Sequence, residues 1–385
     1  MDFSESTEQT MLRDAVRKIA VGYGHDYYVR KARAGEKSVE LWTEMGRKGF
    51  IGVNIPEEYG GGGLGIYELT IVVEELAAAG CPLLLLIVSP AICGSIITRC
   101  GSKEQKERWL PGIASGEFKM AFAITEPDAG SNSHEISTAA VRDGDGYRMK
   151  GTKYYISAFD EAQAVLVVAK TGVDPATGRG DLSLLVVDTH APGLTAQHIP
   201  VEIVAPEKQF TLFFDDVRVS SDGLIGKEGE GLRNVFFGLN PERITAAAIS
   251  NGIARYALAK ASAYANERKV WRGVPIGAHQ GIAHPLAEAK IQAELARLMT
   301  AKAATLYDQG LDAGEAANMA KYAAAEAAIE ALDQAIQTHG GNGMAWEYGL
   351  ADLWGSARLL RTAPVSREMI LNYVAEHSLG LPKSY

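Results

Sequence analysis

The sequence predicts an α+β multidomain chain, mainly α, with an N-terminal helical domain over 1–119, a middle antiparallel β-barrel-like domain over 120–226 and a C-terminal four-helix-bundle domain over 227–385. Three observations carry that prediction. Up to Lys119 apolar residues recur at helical spacing. From Met120 the chain shortens to β-type runs bounded by turn residues, and after Gly229-Glu230-Gly231 it returns to long, Ala-rich helical stretches. The length of 385 residues suits several regions sharing a large core, and 47% hydrophobic with 22% charged residues excludes a disordered, collagenous or coiled-coil chain.

In the first region Ser6, with Gln9 three residues on, reads as a capping box ahead of Met11, Leu12, Val16 and Ile19. Further helices are expected over Leu41–Phe50, Ile66–Ala78 and Lys103–Ile113, separated by the Gly60–Gly63 loop and by Gly101-Ser102. The most apolar run, Leu83–Ile97, is broken by Pro90 and Gly94 and is too short to span a bilayer, so it reads as buried helix with no membrane insertion. In the second region strands are expected over Ala139–Arg142, Tyr147–Lys150, Ala164–Lys170, Leu182–Asp188 and Thr211–Val219, with Asp143-Gly144-Asp145-Gly146 as a hairpin turn. Strands without intervening helices predict an antiparallel barrel or sandwich and exclude a parallel dinucleotide-binding sheet. In the third, helices are expected over Leu232–Asn266, Ile282–Leu311 and Glu315–His339, where Gly340-Gly341 stops the last. Their apolar residues on more than one face also suit an oligomer interface.

Composition narrows the function. Lys+Arg 38 against Asp+Glu 47 gives a net charge of −9 with no basic tract, which disfavours nucleic acid and anionic lipid as partners. Cys81, Cys93 and Cys100 fit neither a disulfide framework nor a zinc site and suit a reducing compartment. With an acidic start, Met1-Asp2-Phe3-Ser4-Glu5, that lacks an apolar signal core, a cytoplasmic location is expected. His279 and His284 stand five apart, on different helix faces, and no metal is expected. There is no Walker lysine loop, no H-E-x-x-H and no G-x-S-x-G.

The most informative segment is Ala121-Phe122-Ala123-Ile124-Thr125-Glu126-Pro127-Asp128-Ala129-Gly130-Ser131-Asn132, a strand running into a turn rich in hydroxyls and glycine. Turn chemistry alone allows a plain β-turn or a set of backbone N–H groups beside Thr125 and Ser131 for an anionic or carbonyl-rich ligand. The segment closely resembles the flavin-binding signature of the acyl-CoA dehydrogenase family. The likeness extends through Asn54-Ile55-Pro56-Glu57-Glu58-Tyr59-Gly60-Gly61, Gly101-Ser102-Lys103-Glu104-Gln105, Phe213-Phe214-Asp215-Asp216-Val217-Arg218-Val219 and Gln337-Thr338-His339-Gly340-Gly341-Asn342-Gly343, in family order.

That resemblance implies FAD as cofactor, an acyl-CoA substrate, an electron-transfer flavoprotein as acceptor and a homotetramer. It implies flavin contacts from Phe122, Ile124, Gly130 and Thr125, the last at the pyrimidine end, and a pantetheine contact from Ser131. Tyr155-Ile156-Ser157 stands where the family has Trp-Ile-Thr, so Tyr155 is expected to cover the ring face and Ser157 to reach the ring near N5. Arg268, Trp271 and Gln280 match the segment that reaches the adenine and pyrophosphate, usually across a subunit interface, and Gln337, Gly340 and Gly341 match the rest of that clamp. Taken alone, Arg268 would read as a solvated surface charge.

The implied reaction introduces a trans α,β double bond, as in fatty acid β-oxidation, and needs a carboxylate base for the α-proton while the β-hydrogen leaves as hydride. Many members carry that base in a Tyr-Glu-Gly-Thr-Ser loop. Here the stretch reads Leu360-Arg361-Thr362-Ala363-Pro364-Val365-Ser366, with Ala363 or Pro364 at the Glu position. Proline has no N–H, so only the Ala363 registration keeps a backbone donor for the thioester oxygen. A minority of the family places the base on a helix just before an arginine, and Asn240-Pro241-Glu242-Arg243-Ile244 has that form, which makes Glu242 the expected base with Arg243 on the substrate side. Without the resemblance, Asn240 as cap, Pro241 at the first position and Glu242 in the first turn would simply complement a helix dipole. Gly355-Ser356 departs from the family's usual Arg-Asp pair, and the tail Ser378–Tyr385, apolar at Leu379 and Leu381, suits packing on a neighbour or a frayed end. Two rival readings remain: a flavin oxidase or monooxygenase of the same fold, and a non-catalytic subunit of a heteromeric enzyme.

Overall fold

Ser6 opens the first helix through the expected capping box: its Oγ accepts the Gln9 N–H at 3.2 Å while Gln9 Oε1 accepts the Ser6 N–H at 2.9 Å. The computed structural model describes residues 4–173, 178 and 180–383; Met1–Phe3 at the start, and Ser384 and Tyr385 of the tail, lie outside it. The N-terminal region comprises α1 (Thr7–Ala34), α2 (Val39–Arg47), α3 (Ile66–Ala78), a π-helical stretch at Ile87–Gly94 that continues into α4 (Ser95–Cys100), and α5 (Lys103–Ser115). The buried apolar run is therefore helical, as expected, and Pro90 sits where its winding loosens to π. Asp308, far along the chain, accepts the first two N–H groups of α3 at 2.8 and 2.9 Å and so caps that helix from the C-terminal region.

The middle region holds β1 (Met120–Ala123), β2 (Ala139–Asp143), β3 (Gly146–Ser157), β4 (Ala164–Val173), β5 (Gly180–Asp188), β6 (Leu194–Ile199), β7 (Gln209–Ser220) and β8 (Leu224–Ile225). Among the described residues they form one sheet in the order β6-β7-β3-β2-β4-β5-β8, with β1 on β4. The predicted hairpin turn joins β2 to β3, with Gly144 at φ 61. The expectation of a wholly antiparallel sheet is corrected at β4, which runs parallel to β1 and, at Ala139–Lys170, to β2; the long stretches between these strands supply the crossovers that parallel pairs require. In β4, Val165, Val167 and Ala169 join the sheet's own core while Leu166 and Val168 face the helices, so a strand buried on both sides reads as continuous apolar sequence.

The C-terminal region comprises α6 (Gly231–Glu267), α7 (Gln280–Asp308), α8 (Gly314–His339), α9 (Trp354–Thr362) and α10 (Arg367–Tyr373). α8 packs through a buried stripe of alanines that includes Ala317, Ala320, Ala324, Ala328 and Ala331. Glu74 and Glu75 of α3 bind the N- and C-terminal regions together, receiving Arg13 from α1, Arg255 from α6 and Arg297 from α7; the Arg255 contacts are 2.6 Å. No helix among the described residues is long and apolar enough to cross a membrane.

The Gly355 departure has a steric reason. A Cβ there would lie 2.6 Å from the Glu202 carbonyl oxygen, so the β6–β7 connection packs directly on α9 and leaves no room for a side chain. Asp352 instead holds Arg33 at 2.6 Å and His25 at 3.4 Å. Gly355→Ala is expected to cost about 1–3 kcal/mol through this overlap, read as a lower urea midpoint. An unchanged midpoint would mean that the 202–203 backbone yields freely.

Candidate active site

A cavity of about 2310 Å³ opens where the three regions meet. Its walls carry Phe122 from β1, Ile124, Thr125, Gly130 and Ser131 from the loop after it, and Tyr155 and Ser157 from the end of β3. Opposite stand Glu242 and Arg243 of α6, and Ala363 after α9. One ion pair gives the first wall its shape. Lys153, fully buried on β3, donates to Glu126 Oε1 and to the Ile124 carbonyl, both at 2.9 Å. Glu126 in turn accepts Ser137 N–H and Oγ–H at 2.7 Å and Thr138 N–H at 2.9 Å, which closes the loop that displays Thr125, Gly130 and Ser131. The paired ammonium and these donors outweigh burial and hold the Glu126 carboxyl down at about 2; burial, opposed by Glu126, brings Lys153 down to about 8.

Tyr155 is held at φ 56, a left-handed conformation costly for an aromatic residue, within an irregular stretch of the β3–β7 pairing. The residue is 53% exposed and lines the cavity, so the backbone strain sustains a presented aromatic side chain. Ser157 Oγ donates to Gln209 Oε1 at 2.9 Å, and the two residues are register partners on β3 and β7. Gln209 is buried and carries no motif, which is why the sequence did not point to it.

The opposite wall overturns the helix-cap reading of Glu242. α6 runs unbroken from Gly231, so Asn240 is not its cap and Glu242 lies in its fourth turn, beyond the first-turn dipole effect. Pro241 is tolerated because the Phe237 carbonyl, deprived of its i+4 N–H, accepts the Tyr307 hydroxyl at 2.7 Å. The Glu242 carboxyl accepts no hydrogen bond from the described residues. Burial pushes it up to about 7, against the opposing pull of Arg243 and Lys321. Arg243 donates from Nη1 to Asn240 Oδ1 at 3.0 Å, lies over the Phe236 ring, and keeps a buried Nε–H without a partner.

Lys321 was missed. It is 1% exposed on α8 and donates to the carbonyls of Arg361 at 3.2 Å and Val365 at 2.5 Å, anchoring the segment that enters the cavity at Ala363. A lone cation on the alanine face of a predicted helix was the available signal. The expectation for Ala363 is corrected in part: it lines the cavity, but its N–H donates to the Leu359 carbonyl at 2.8 Å as the end of α9, so it has no donor to offer.

Arg268, Trp271, Gln280, Gln337, Gly340 and Gly341 are exposed and stand outside this cavity. They cluster instead at one end of the helical bundle. Tyr264 near the end of α6 stacks on His339 at the end of α8, with centroids 4.2 Å apart, and Asn342 donates to the Tyr264 hydroxyl at 3.2 Å.

Comparison with known proteins follows the same three-part division. The chain matches the N-terminal, middle and C-terminal domain models of the acyl-CoA dehydrogenases over residues 6–117, 121–217 and 229–379. It is 58% identical to acyl-CoA dehydrogenase FadE12 of Mycobacterium tuberculosis over 385 residues, covering 100% of this chain and 99% of that one. Among solved structures, a glutaryl-coenzyme A dehydrogenase in complex with glutaryl-CoA superposes with a TM-score of 0.94 at 33% identity, covering 100% of this chain and 98% of that one. PigA with FAD and proline superposes at 0.92 with 26% identity over 99% of this chain and 100% of that one.

Proposed function

The chain belongs to the acyl-CoA dehydrogenase family, and from that membership we propose that Glu242 is the base that takes the α-proton of an acyl-CoA thioester. The single observation that carries this assignment is a carboxylate inside the cavity, free of hydrogen bonds from the described residues, whose burial raises its pKa to about 7. The cofactor is FAD. When bound it supplies the acceptor for the hydride leaving the β-carbon.

The residues present fit that group. The cavity exceeds the roughly 300–1,000 Å³ of a site for one small ligand, which leaves room for cofactor and acyl chain together. Gly130 leaves open space where a side chain would stand, and Thr125 and Ser157 supply hydroxyls on the same wall as the presented Tyr155 ring. Phe122, Ile124, Thr125, Gly130, Tyr155 and Ser157, which line the cavity, would hold the flavin end, and Ser131 would meet the pantetheine. With the Ala363 N–H spent and no N–H at Pro364, polarisation of the thioester falls to Arg243, the cation that lines the cavity next in sequence to the base.

Arg268, Trp271, Gln280, Gln337, Gly340 and Gly341 complete the FAD site of a second copy: they share one end of the bundle and are exposed in the single chain. An exposed apolar stripe on α7, Ile291, Leu295 and Leu298, supports a homotetramer. An electron-transfer flavoprotein is the acceptor.

Anaerobic titration of the purified flavoprotein with a panel of acyl-CoAs tests this reading, and loss of the oxidised flavin band is the expected result. Rapid reoxidation by an electron-transfer flavoprotein and slow reoxidation by air would support the dehydrogenase; the reverse order would assign an oxidase. A flavin-loaded protein that no acyl-CoA bleaches would overturn the reading.

A further inference from the structure

Behind Gln209 the main cavity has a smaller neighbour of about 30 Å³, room for roughly one water-sized group. The two cavities share walls at Leu84, Val201, Ile203, Gln209, Leu359 and Leu360. The smaller one also meets Tyr28, Glu207 and Ser356. Glu207 is 5% exposed. Its Oε1 accepts the Leu85 N–H at 3.3 Å, which ties the β6–β7 connection to the buried helical run, and the Leu84 N–H also faces the carboxyl, but no hydrogen bond ends on the buried Oε2. The Tyr28 hydroxyl is already spent on the Pro82 carbonyl at 3.2 Å. A buried carboxylate oxygen without a donor is a group waiting for one.

The direction matters as much as the chemistry. Ser157 donates to Gln209, and Gln209 lines both cavities. If the α-carbon faces Glu242 and the β-carbon lies near Ser157, the remaining acyl carbons run past Gln209 toward Glu207. We propose that the small cavity is a subsite for a hydroxyl group carried on the acyl chain, bound by Glu207 Oε2, so that the enzyme prefers hydroxylated acyl-CoAs to plain ones; this rests on the acyl-CoA dehydrogenase reading above. Burial, with a smaller push from Glu161, raises the Glu207 carboxyl to about 7, so near neutral pH it both accepts from and donates to a hydroxyl. Water is the other source of the same chemistry, and the experiment separates the two.

Binding is measured by calorimetry on the FAD-loaded Glu242→Gln enzyme, whose flavin reduction is expected to be slow, using ω-hydroxyacyl-CoAs each paired with its chain-matched plain parent. With Glu207 intact the hydroxylated member is expected to bind about tenfold more tightly at the chain length that reaches the subsite, the effect of one buried hydrogen bond. Glu207→Gln is expected to keep most of that ratio and Glu207→Leu to remove it. Should Glu207→Leu fail to fold, Ile249→Phe fills the cavity from α6, leaves the Leu85 contact alone, and is expected to remove the preference too. An equal ratio in the Glu207-intact and Glu207→Leu enzymes, or no preference at any length, would show a cavity that serves only water. Binding without preference sinks this proposal alone, whereas absence of any acyl-CoA binding sinks the substrate reading with it.

Discussion

Glu242→Gln is expected to slow reduction of the bound flavin by acyl-CoA by about 10²–10⁴-fold, the range for loss of a positioned general base. The substitution keeps the side chain's size and leaves α6 intact, because Pro241 is accommodated through Tyr307 rather than through Glu242. In the parent enzyme the reductive rate is expected to rise with pH through about 7 as the carboxylate forms, a limb that the variant lacks. Stability should move the opposite way. Burial raises the folded-state pKa above the ordinary carboxyl value of 4.5, so the native protein bears no penalty while the group is neutral in both states. The penalty grows as pH rises from 4.5 and is complete above about 7. Glu242→Gln removes it, and a gain on the order of 2 kcal/mol is expected at pH 8, fading toward pH 4.5. Lower activity with higher stability is the mark of a group kept under strain for chemistry. Equal bleaching rates in variant and parent, with flavin bound in both, would remove Glu242 from the mechanism.

What the sequence made legible was local. The Ser6–Gln9 box, the bounds of α3 and the Gly144 turn depend on residues within a few positions of one another, and periodicity resolves that scale. β6 escaped because Thr195, Ala196, Gln197 and His198 are exposed on an edge strand and show no apolar alternation, and β8 because two residues carry no period. The site divides the same way. Thr125, Ser131, Tyr155 and Ser157 sit in contiguous motifs. Lys321, Gln209 and Glu207 act through partners distant in sequence, as Tyr307 does in relieving the Phe237 carbonyl. The spent N–H of Ala363 could not be read either, since it depends on α9 extending to Thr362.

Lys153→Met is expected to cost about 3–5 kcal/mol, because it leaves the Glu126 carboxylate buried without its counter-ion. The loss should exceed that of any surface pair here, such as Arg218–Asp145, since such exposed pairs contribute about 0–1 kcal/mol. It should also depend on pH in a defined direction. With Lys153 present the Glu126 carboxyl is held at about 2 against an ordinary 4.5, so its contribution is complete above 4.5 and drains away as pH falls toward 2. In Lys153→Met the carboxyl keeps its bonds to Ser137 and Thr138 but loses the ammonium, its strongest opponent to burial, so its pKa must rise. Urea unfolding of parent and variant should therefore differ most near pH 7 and converge in acid. Flavin content supplies an independent readout: the Glu126–Lys153 pair shapes the loop bearing Thr125 and Gly130, so the variant should lose FAD before it unfolds. A variant with the parent's urea midpoint at pH 7 and full flavin content would mean that the Ser137 and Thr138 hydrogen bonds hold the loop by themselves, and that the buried lysine merely neutralises a charge.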